Sequence, residues 1–352
     1  ILPGRTVGLG GGVRMSWMDL TRVDLNWLLD PADPGVRYLA LRDLLDRPDG
    51  DGELEAARVE AHARGPIATI LAAMHPEGYW LEPGAGYLPK YRSTVWSVIS
   101  LAQLGASTSV DERVGQACRY VLDHALAPGG QFGDSHRPSL TADCLQGNMC
   151  ASLLDLGCDD SRLESAFEWM ARTVTGEGMA SSDERDAPRR YYAGKCGPLF
   201  ACGAHNRTSC AWGGSKVMAA FARYPQERHT PPIRRAVEAG VEFFLSKDPV
   251  ACEYPRGYSA KPNGNWWRFG FPVFYITDVL QVAESMVALG YGADPRLANT
   301  LDYIRSKADS EGRWALEHSY AGKTWADFGA KKEPNKWVTL RALRALKGAA
   351  GA

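Results

Sequence analysis

Residues 76–80 read PEGYW and residues 93–105 read STVWSVISLAQLG, and this pairing of a Gly-containing turn with an apolar helix decides the fold. Apolar residues in the second stretch recur at the spacing of a buried helix, without the alternation of a strand. Similar turns follow at PGGQFGD (128–134), TGEGM (175–179) and SEGRW (310–314). The chain therefore repeats a unit of helix, Gly turn, long loop and helix.

This repeat predicts an all-α protein with two alternating classes of helix. The predicted helices are 35–46, 53–74 with a break at Gly65 and Pro66, 93–105, 111–126, 140–156, 160–173, 208–223, 231–247, 271–289, 295–307 and 335–347. Helices of one class begin six times, near residues 35, 93, 140, 208, 271 and 335. Because one helical pair cannot bury both of its faces, the six pairs should close into an inner ring wrapped by an outer ring.

The expected domain organisation is one α/α toroid over residues 15–352. Residues 1–14 are Gly-rich and precede Met15, so we expect an extension outside the fold that is disordered or non-native. No apolar run approaches the ~20 residues that a membrane-spanning helix needs, and no signal-peptide pattern opens the chain. We therefore expect a cytoplasmic protein without a transmembrane segment.

The charge balance excludes one class of partner. Lysine and arginine number 40 against 41 aspartates and glutamates, so no net field favours nucleic acid or an anionic membrane. With 45% hydrophobic and 23% charged residues, the composition is that of an ordinary globular protein with a large core. The expected partner is a small-molecule substrate, and the sequence does not specify an oligomeric state.

A cysteine-rich stretch, CGPLFACGAHNRTSCAWGG (196–214), is the first candidate site. Cys144 and Cys210 fall in the first turns of two inner helices, where a helix N-terminus favours the thiolate. Parallel inner helices would bring them to the same end of the ring as Cys196 and Cys202. Four sulfurs suit zinc, with an iron–sulfur cluster as the alternative ligand.

Two other interpretations of the cysteines stay open. Cysteine is among the most buried residue types, so inert buried thiols are one alternative, and disulfide bonds are the other. The remaining cysteines are predicted to be packing or surface residues: Cys118, Cys150, Cys158 and Cys252.

Aromatic and basic residues collect at the starts of the inner helices and predict a ligand pocket. An aromatic wall with a basic rim suits an apolar molecule that carries an anionic group, or a cationic intermediate held against ring faces. The alternative is that the same aromatics fill the axis of the ring as core. The candidate substrate-binding residues are Lys90, Tyr91, Arg92, Trp96, Trp212, Trp267, Arg268, Tyr275, Lys336 and Trp337.

Asp278 interrupts the apolar run FYITDVL (274–280) on the fifth inner helix. A buried carboxylate must be paired or protonated, so Asp278 is a candidate acid or base. The alternative is a structural ion pair with Arg341 or Lys90.

Several of these motifs resemble the prenyltransferase and squalene-cyclase superfamily of α/α toroids. The resemblance covers residues 35–347 and is carried by EGYW (77–80), GGQFGD (129–134), SEGRW (310–314), YLPKYRSTVWSVISLAQLG (87–105) and NKWVTLRALRALK (335–347). Triterpene cyclases of that superfamily use an Asp-x-Asp-Asp motif, which this sequence lacks. Protein prenyltransferase β subunits hold zinc with an aspartate, a cysteine two residues later and a histidine. Here Asp143 and Cys144 are adjacent, and His205 precedes the fourth inner helix.

The resemblance implies an enzyme of cyclase, lyase or transferase type that acts on a small, partly apolar, isoprenoid-like metabolite near a thiolate-bound zinc. The candidate catalytic residues are Asp143, His205 and Asp278. One alternative is a non-catalytic toroid that binds a ligand or peptide and holds a structural metal. Another is a thiol redox sensor, which would need Cys196, Cys202 or His205 to be exposed and free of metal.

Overall fold

The computed structural model describes residues 25–133, 141–192 and 194–351. The extension expected at residues 1–14 and the predicted helix start at residue 140 lie outside these ranges. The described chain is mostly helical and contains a single antiparallel pair of two-residue strands. The all-α class is therefore confirmed, with one short strand pair that the sequence pattern did not predict.

The α-helices of the described residues fall into short entry helices and two longer classes. In chain order they are α1 (Leu25–Leu28), α2 (Pro34–Asp43), α3 (Gly52–Ala63), α4 (Pro66–Ala72), α5 (Thr94–Gln103), α6 (Glu112–His124), α7 (Asp143–Asp155), α8 (Arg162–Thr175), α9 (Ala211–Phe221), α10 (Pro231–Leu245), α11 (Val279–Met286), α12 (Ala298–Ser306) and α13 (Lys336–Gly351). The strands are β1 (Ala201–Cys202) and β2 (Thr208–Ser209).

Burial separates the two classes. In α5 every residue except Gln103 is buried, and in α9 every residue except Trp212 is buried. Helices α6 and α8 instead bury one face and expose polar residues on the other. A helix that is apolar all round lies inside a protein, whereas an amphipathic helix covers it. Helices α2, α5, α7, α9, α11 and α13 are the inner class.

The inner helices contact one another in chain order. Helix α5 packs on α7, α7 on α9, α9 on α11, α11 on α13, and α13 returns to α2. Gly105, at the end of α5, lies against Leu39 and Tyr38 of α2. All six helices line one cavity of about 480 Å³, to which they contribute Arg42, Ile99, Ser152, Ala219, Glu284 and Arg341, among others.

The Gly turns share the same hydrogen bonds to the neighbouring helices. The indole N–H of Trp80 donates to the Ile70 carbonyl (2.7 Å), and that of Trp314 donates to the Ile304 carbonyl (2.7 Å). The backbone N–H groups of the two tryptophans donate to threonine hydroxyls on the following inner helices. Phe132 takes the same place in its turn, with its N–H donating to Gln146 Oε1 (2.8 Å). The three aromatic residues therefore hold equivalent positions in their turns.

Two of the predicted inner helices begin clearly later than expected. Residues 271–278 are not helical, and α11 begins only after Asp278, whose carboxylate caps it by accepting the Gln281 N–H (2.9 Å). Aspartate is a favoured N-cap residue, so the cap at Asp278 accounts for the helix start at residue 279. Residues 208–209 form β2, which delays α9 to Ala211. The predicted break at Gly65 is confirmed, with a φ of +84°.

Candidate functional site

Helices α7 and α9 cross at a point where only glycine fits. A Cβ atom on Gly147 would lie 2.3 Å from the Lys216 carbonyl carbon and 2.5 Å from the Val217 nitrogen. Such distances are far inside van der Waals contact, so a side chain there would push the two backbones apart. The close crossing also brings the N-termini of the helices together. A Cβ on Gly213 would lie 3.1 Å from Asp143 Cβ.

We expect Gly147→Ala to lower the free energy of unfolding by about 1 to 3 kcal/mol, because overpacking against backbone cannot be relieved by a side-chain rotation. Urea denaturation measures this loss. The matched control is Gly115→Ala in α6, where the new Cβ meets nothing closer than Arg119 Nη1 at 3.4 Å. That variant should gain up to about 1 kcal/mol from helix propensity. Equal effects at both positions would contradict the crossing as described.

A cavity of about 450 Å³ opens at these two N-termini. Residues 142–144 and 210–213 form one side, and loop residues 195–205 and 252–266 contribute to the other. Much of the wall is aromatic: Trp212, Tyr254, Tyr258, Trp266 and Tyr275. A concave, largely apolar site with a few polar groups is the usual form of a small-molecule pocket.

Asp143 is the acidic group in this cavity wall. It is the first residue of α7, its side chain is only 3% exposed, and its Oδ2 finds no hydrogen-bond partner among the described residues. Burial raises its pKa well above the ordinary value. The helix N-terminus favours the anion, but loss of hydration outweighs that effect here. Burial therefore favours the neutral form of Asp143, the form that can donate a proton.

Three of the four predicted ligand cysteines line the same cavity: Cys144, Cys202 and Cys210. The fourth, Cys196, is only 1% exposed, and its Sγ lies 3.9 Å from the Tyr192 carbonyl oxygen. Burial raises the pKa of Cys144 to about 12 and that of Cys210 to about 11. In this geometry desolvation is a larger effect than the helix N-termini, and it favours the neutral thiols.

The predicted zinc site is not assembled in this geometry. Thiolate sulfur is the donor that zinc prefers. Within residues 25–133, 141–192 and 194–351, however, no three or more His, Cys, Asp and Glu side chains are close enough together to hold a metal ion. All eight cysteines are free thiols. Zinc, and the alternative of an iron–sulfur cluster, stay predictions.

His205 lies in the cavity wall, at the end of the turn that joins β1 to β2. Its Nδ1 is 3.1 Å from Thr208 Oγ1. Gly257, with a φ of +62°, packs on the ring so closely that a Cβ would lie 2.7 Å from His205 Cδ2. The histidine is thus held in place between the two loops and faces the same cavity as Asp143.

Cationic side chains stand among the aromatic ones. Lys195 is half-buried, and Arg256 and Lys261 are exposed, yet all three line the cavity. The Arg256 guanidinium donates to the Ala260 carbonyl (3.0 Å). The cavity therefore combines an apolar wall, an acid and a basic rim.

Of the predicted substrate-binding residues, only Trp212 and Tyr275 line this cavity. The other eight candidates do not line it, and their assignment to one shared pocket is corrected: Lys90, Tyr91, Arg92, Trp96, Trp267, Arg268, Lys336 and Trp337. Their partners explain it in several cases. Lys336 binds Asp30 and Asp33, Arg92 donates to backbone carbonyls of residues 322 and 324, and the Trp96 indole donates to Tyr87.

An aromatic cluster occupies the region between α5 and the 271–278 segment. Tyr91, Trp96, Phe274 and Tyr320 pack with ring centroids 4.7 to 5.6 Å apart, and the Tyr91 hydroxyl lies 3.2 Å from that of Tyr275. For these residues the alternative of core packing is the correct one. Tyr275 joins the cluster to the cavity wall.

Several cavity residues in the long loop 248–270 were not predicted from the sequence. Tyr254, Arg256, Tyr258, Lys261 and Trp266 all line the cavity. The signal was present, since residues 248–270 are rich in aromatics and lack the short Gly turn of the other loops. Which of them face the cavity depends on the loop conformation, which has no periodicity to reveal it.

Asp278 is not the acid of this site. It is 3% exposed, and its two carboxylate oxygens accept from the Arg341 guanidinium at 2.9 and 3.0 Å. Burial alone would raise its pKa, but the Arg341 charge holds it below the ordinary value. The catalytic assignment is corrected to the structural ion pair with Arg341 that the sequence analysis left as its alternative.

Comparison with known proteins finds no family model that matches the chain and no curated protein that matches it. Among the described helices, none combines the length and the apolar character that crossing a membrane requires.

Proposed function

We propose that the chain is an α/α toroid of the terpenoid cyclase and prenyltransferase-like class, with six inner helices. The circular order of helix contacts from α2 through α13 and back to α2 supports this architecture. So does the cavity of about 480 Å³ that all six inner helices line. The repeated hydrogen bonds of Trp80 and Trp314 indicate that the turns are copies of one structural unit.

We propose that the protein is an enzyme in which Asp143 starts a reaction by protonating an apolar substrate. The observation that carries the proposal is the buried Asp143 Oδ2, which lacks a hydrogen-bond partner among the described residues, in the wall of an aromatic cavity. An unpaired buried polar atom costs about 1 to 3 kcal/mol. A buried polar atom without a hydrogen-bond partner calls for an explanation in a native structure, and a catalytic role is one such explanation.

The proposed reaction is of cyclase or isomerase type. The Asp143 proton passes to one carbon of an alkene, the π electron pair forms the new C–H bond, and the other carbon becomes a cation. Ring faces of Trp212, Trp266 and Tyr275 stabilise such a cation. Loss of a proton from the cation to a base restores neutrality, and the Asp143 carboxylate is available as that base. Lyase and transferase outcomes differ only in the fate of the cation.

The proposed substrate has an apolar body and an anionic end. The aromatic wall binds the body, and the basic rim of Lys195, Arg256 and Lys261 binds the end. The cavity volume of about 450 Å³ fits a molecule of ordinary metabolite size. Such a molecule matches the isoprenoid-like metabolite that the sequence resemblance implies. His205, in the same cavity wall, is a second candidate for proton transfer.

Deuterium incorporation tests the acid. Prenyl alcohols and prenyl phosphates of increasing length are incubated with the protein in heavy water, and mass spectrometry follows carbon-bound deuterium. We expect Asp143→Asn to lower the rate by at least about 100-fold, since an amide does not replace a positioned general acid. Asp159→Asn, at an exposed carboxylate before α8, is the matched control and should retain the full rate. Binding without incorporation in the wild type would favour the non-catalytic toroid.

Stability against pH tests the protonation state without a substrate. A carboxyl whose folded pKa is raised binds its proton in the folded state longer than in the unfolded state. Wild-type stability from this group is therefore complete below its unfolded pKa and falls as pH rises through the folded pKa. Asp143→Asn removes that loss, so its stability relative to wild type should grow with pH. A difference that stays constant with pH would contradict a neutral Asp143.

The second candidate function is a non-catalytic toroid that binds a ligand and holds a structural zinc ion. It is kept because Cys144, Cys202, Cys210 and His205 line one cavity. Elemental analysis of protein purified without added metal tests it, with Cys144→Ser as the variant that should lose the metal. One equivalent of zinc in the wild type, absent from the variant, would establish the site. Wild-type protein without metal would contradict the zinc site, and the three cysteines would then only form part of the cavity wall.

A further inference from the structure

The cavity of about 480 Å³ lies at the other end of α7 from Asp143, and we call it the polar cavity. Ser152 and Asp155, in the last turn of α7, are part of its wall. At 1.5 Å per residue, Asp155 lies roughly 18 Å along the helix from Asp143. The polar cavity is therefore separate from the aromatic cavity and uses none of the groups assigned to the proposed reaction.

Charged groups of both signs line the polar cavity. They are the guanidinium groups of Arg42, Arg223, Arg341 and Arg344 and the carboxylates of Asp43, Asp155 and Glu284. Asp278 binds Arg341 as well, so carboxylates and guanidinium groups balance. A simple anion would be repelled by the carboxylates, and a simple cation by the guanidinium groups. A ligand that carries both charges finds an attractive partner for each.

One ion pair in the wall leaves a donor and an acceptor open. Arg223 Nε donates to Asp155 Oδ2 (2.6 Å), and Arg223 Nη1 donates to the Ala219 carbonyl (2.8 Å). Among the described residues, Arg223 Nη2 and Asp155 Oδ1 have no hydrogen-bond partner. Both side chains are partly exposed, at 40% and 32%. A donor for a carboxylate and an acceptor for an ammonium group thus lie side by side.

Two buried polar side chains of α7 line the same cavity. Asn148 is 8% exposed and Ser152 is 5% exposed, and their spacing of four residues puts them on one face of the helix. Asn148 Nδ2 donates to the Phe274 carbonyl (3.3 Å). Its Oδ1 and the Ser152 hydroxyl have no partner within the described part of the chain. Because buried polar groups are normally hydrogen-bonded, these two indicate a polar ligand group deeper in the cavity.

We propose that the polar cavity binds a free α-amino acid with a polar, uncharged side chain. The carboxylate and ammonium groups of an α-amino acid share one carbon, so they need a cation and an anion side by side. Arg223 and Asp155 are such a pair, and charge-assisted hydrogen bonds to Arg223 Nη2 and Asp155 Oδ1 hold the two groups. An uncharged ligand side chain keeps the charges of the cavity in balance.

The ligand side chain extends along α7 to Ser152 and Asn148. These residues lie about 5 and 10 Å from Asp155 along the helix, within reach of a short polar side chain. The volume of about 480 Å³ is that of a small-molecule pocket.

Calorimetric titration of the full-length protein with each of the standard L-amino acids tests the site. We expect the tightest binding from amino acids with amide or hydroxyl side chains, and weaker binding from leucine. The N-acetyl and amide derivatives of the best ligand each lack one charge. Each should bind about tenfold more weakly or worse, since it loses a hydrogen bond between charged groups. No binding by any amino acid, or undiminished binding of either derivative, would overturn the proposal.

Two variants should change the charge preference in opposite directions. Asp155→Asn leaves Arg223 without its carboxylate, so it should bind the N-acetyl derivative better than the amide. Arg223→Gln leaves Asp155 unpaired and should bind the amide derivative better. Arg113→Gln, at a similarly exposed arginine that is paired with Asp111, is the matched control and should bind like the wild type. The same preference in both variants would contradict recognition by this ion pair.

A third variant fills the cavity. Ser152→Met replaces the open hydroxyl with a longer apolar chain that can extend into the cavity, and we expect it to abolish amino-acid binding. Urea denaturation checks that the variant is folded. Ser306→Met, at an exposed serine on α12, is the matched control and should bind normally. Wild-type affinity in a folded Ser152→Met variant would show that the amino acid binds elsewhere.

Discussion

Replacing Lys216 by methionine is expected to raise the free energy of unfolding at pH 7 by about 4 kcal/mol. Lys216 lies on α9 with no exposed surface, and burial lowers its pKa from the ordinary 10.5 to about 7. Its ammonium group donates only to Gln281 Oε1 among the described residues. Methionine has a similar length without a charge, and Gln281 Oε1 still accepts from the Thr277 hydroxyl (2.5 Å) in the variant.

The pH dependence of that gain identifies its cause. Between pH 7 and 10.5 the unfolded chain holds the lysine proton and the folded chain does not, so wild-type stability from this group rises with pH. The gain of Lys216→Met over wild type should therefore be largest at pH 7 and below, and vanish near pH 10.5. Lys247→Met, at an exposed lysine, is the matched control and should show no such trend. If the stability gain of Lys216→Met did not change with pH, its cause would be better packing and not the removal of a buried charge.

The fold was predictable because its signals are local. Trp80 and Trp314 each reach back ten residues to a carbonyl of the preceding outer helix, so turn and helix are specified within one stretch of sequence. The Gly turn and the aromatic residue recur together at 76–80, 128–134 and 310–314, and the six helix starts give the number of inner helices. The start of the helix predicted at 271–289 was wrong because the apolar run outweighed one local signal, the capping Asp278.

The site was predictable only in part, because its chemistry depends on burial and loop conformation. Asp143, Cys144 and Cys210 were placed correctly at the cavity, since helix starts are readable from sequence. Their protonation was not, because the helix N-terminus can be located in the sequence but the depth of burial cannot. Lys336 was predicted to bind a ligand because it is a basic residue at a helix start. Its ammonium group instead forms ion pairs with Asp30 and Asp33, which are remote in sequence.

Replacing Asp278 by asparagine is expected to lower the free energy of unfolding by about 3 to 5 kcal/mol, because it removes one partner of a buried ion pair. Arg341 is 5% exposed and donates to Asp278, to Glu284 and to the Gly270 carbonyl. Asp278 also accepts from the Gln281 N–H that begins α11. The change therefore removes a negative charge that faces a buried guanidinium, while the asparagine oxygen can still cap the helix.

The same group makes the wild type sensitive to acid. Burial alone would raise the pKa of Asp278, but Arg341 holds it below the ordinary 3.8, so its stabilisation is present above pH 3.8 and is lost as pH falls through the lower folded value. Urea denaturation at pH 7 and in acid measures both effects. Glu284→Gln is the matched control, because the Glu284 side chain is 25% exposed and water can replace it at Arg341. Asp278→Asn should cost clearly more than Glu284→Gln at pH 7, and equal losses would mean that Arg341 is not held mainly by Asp278.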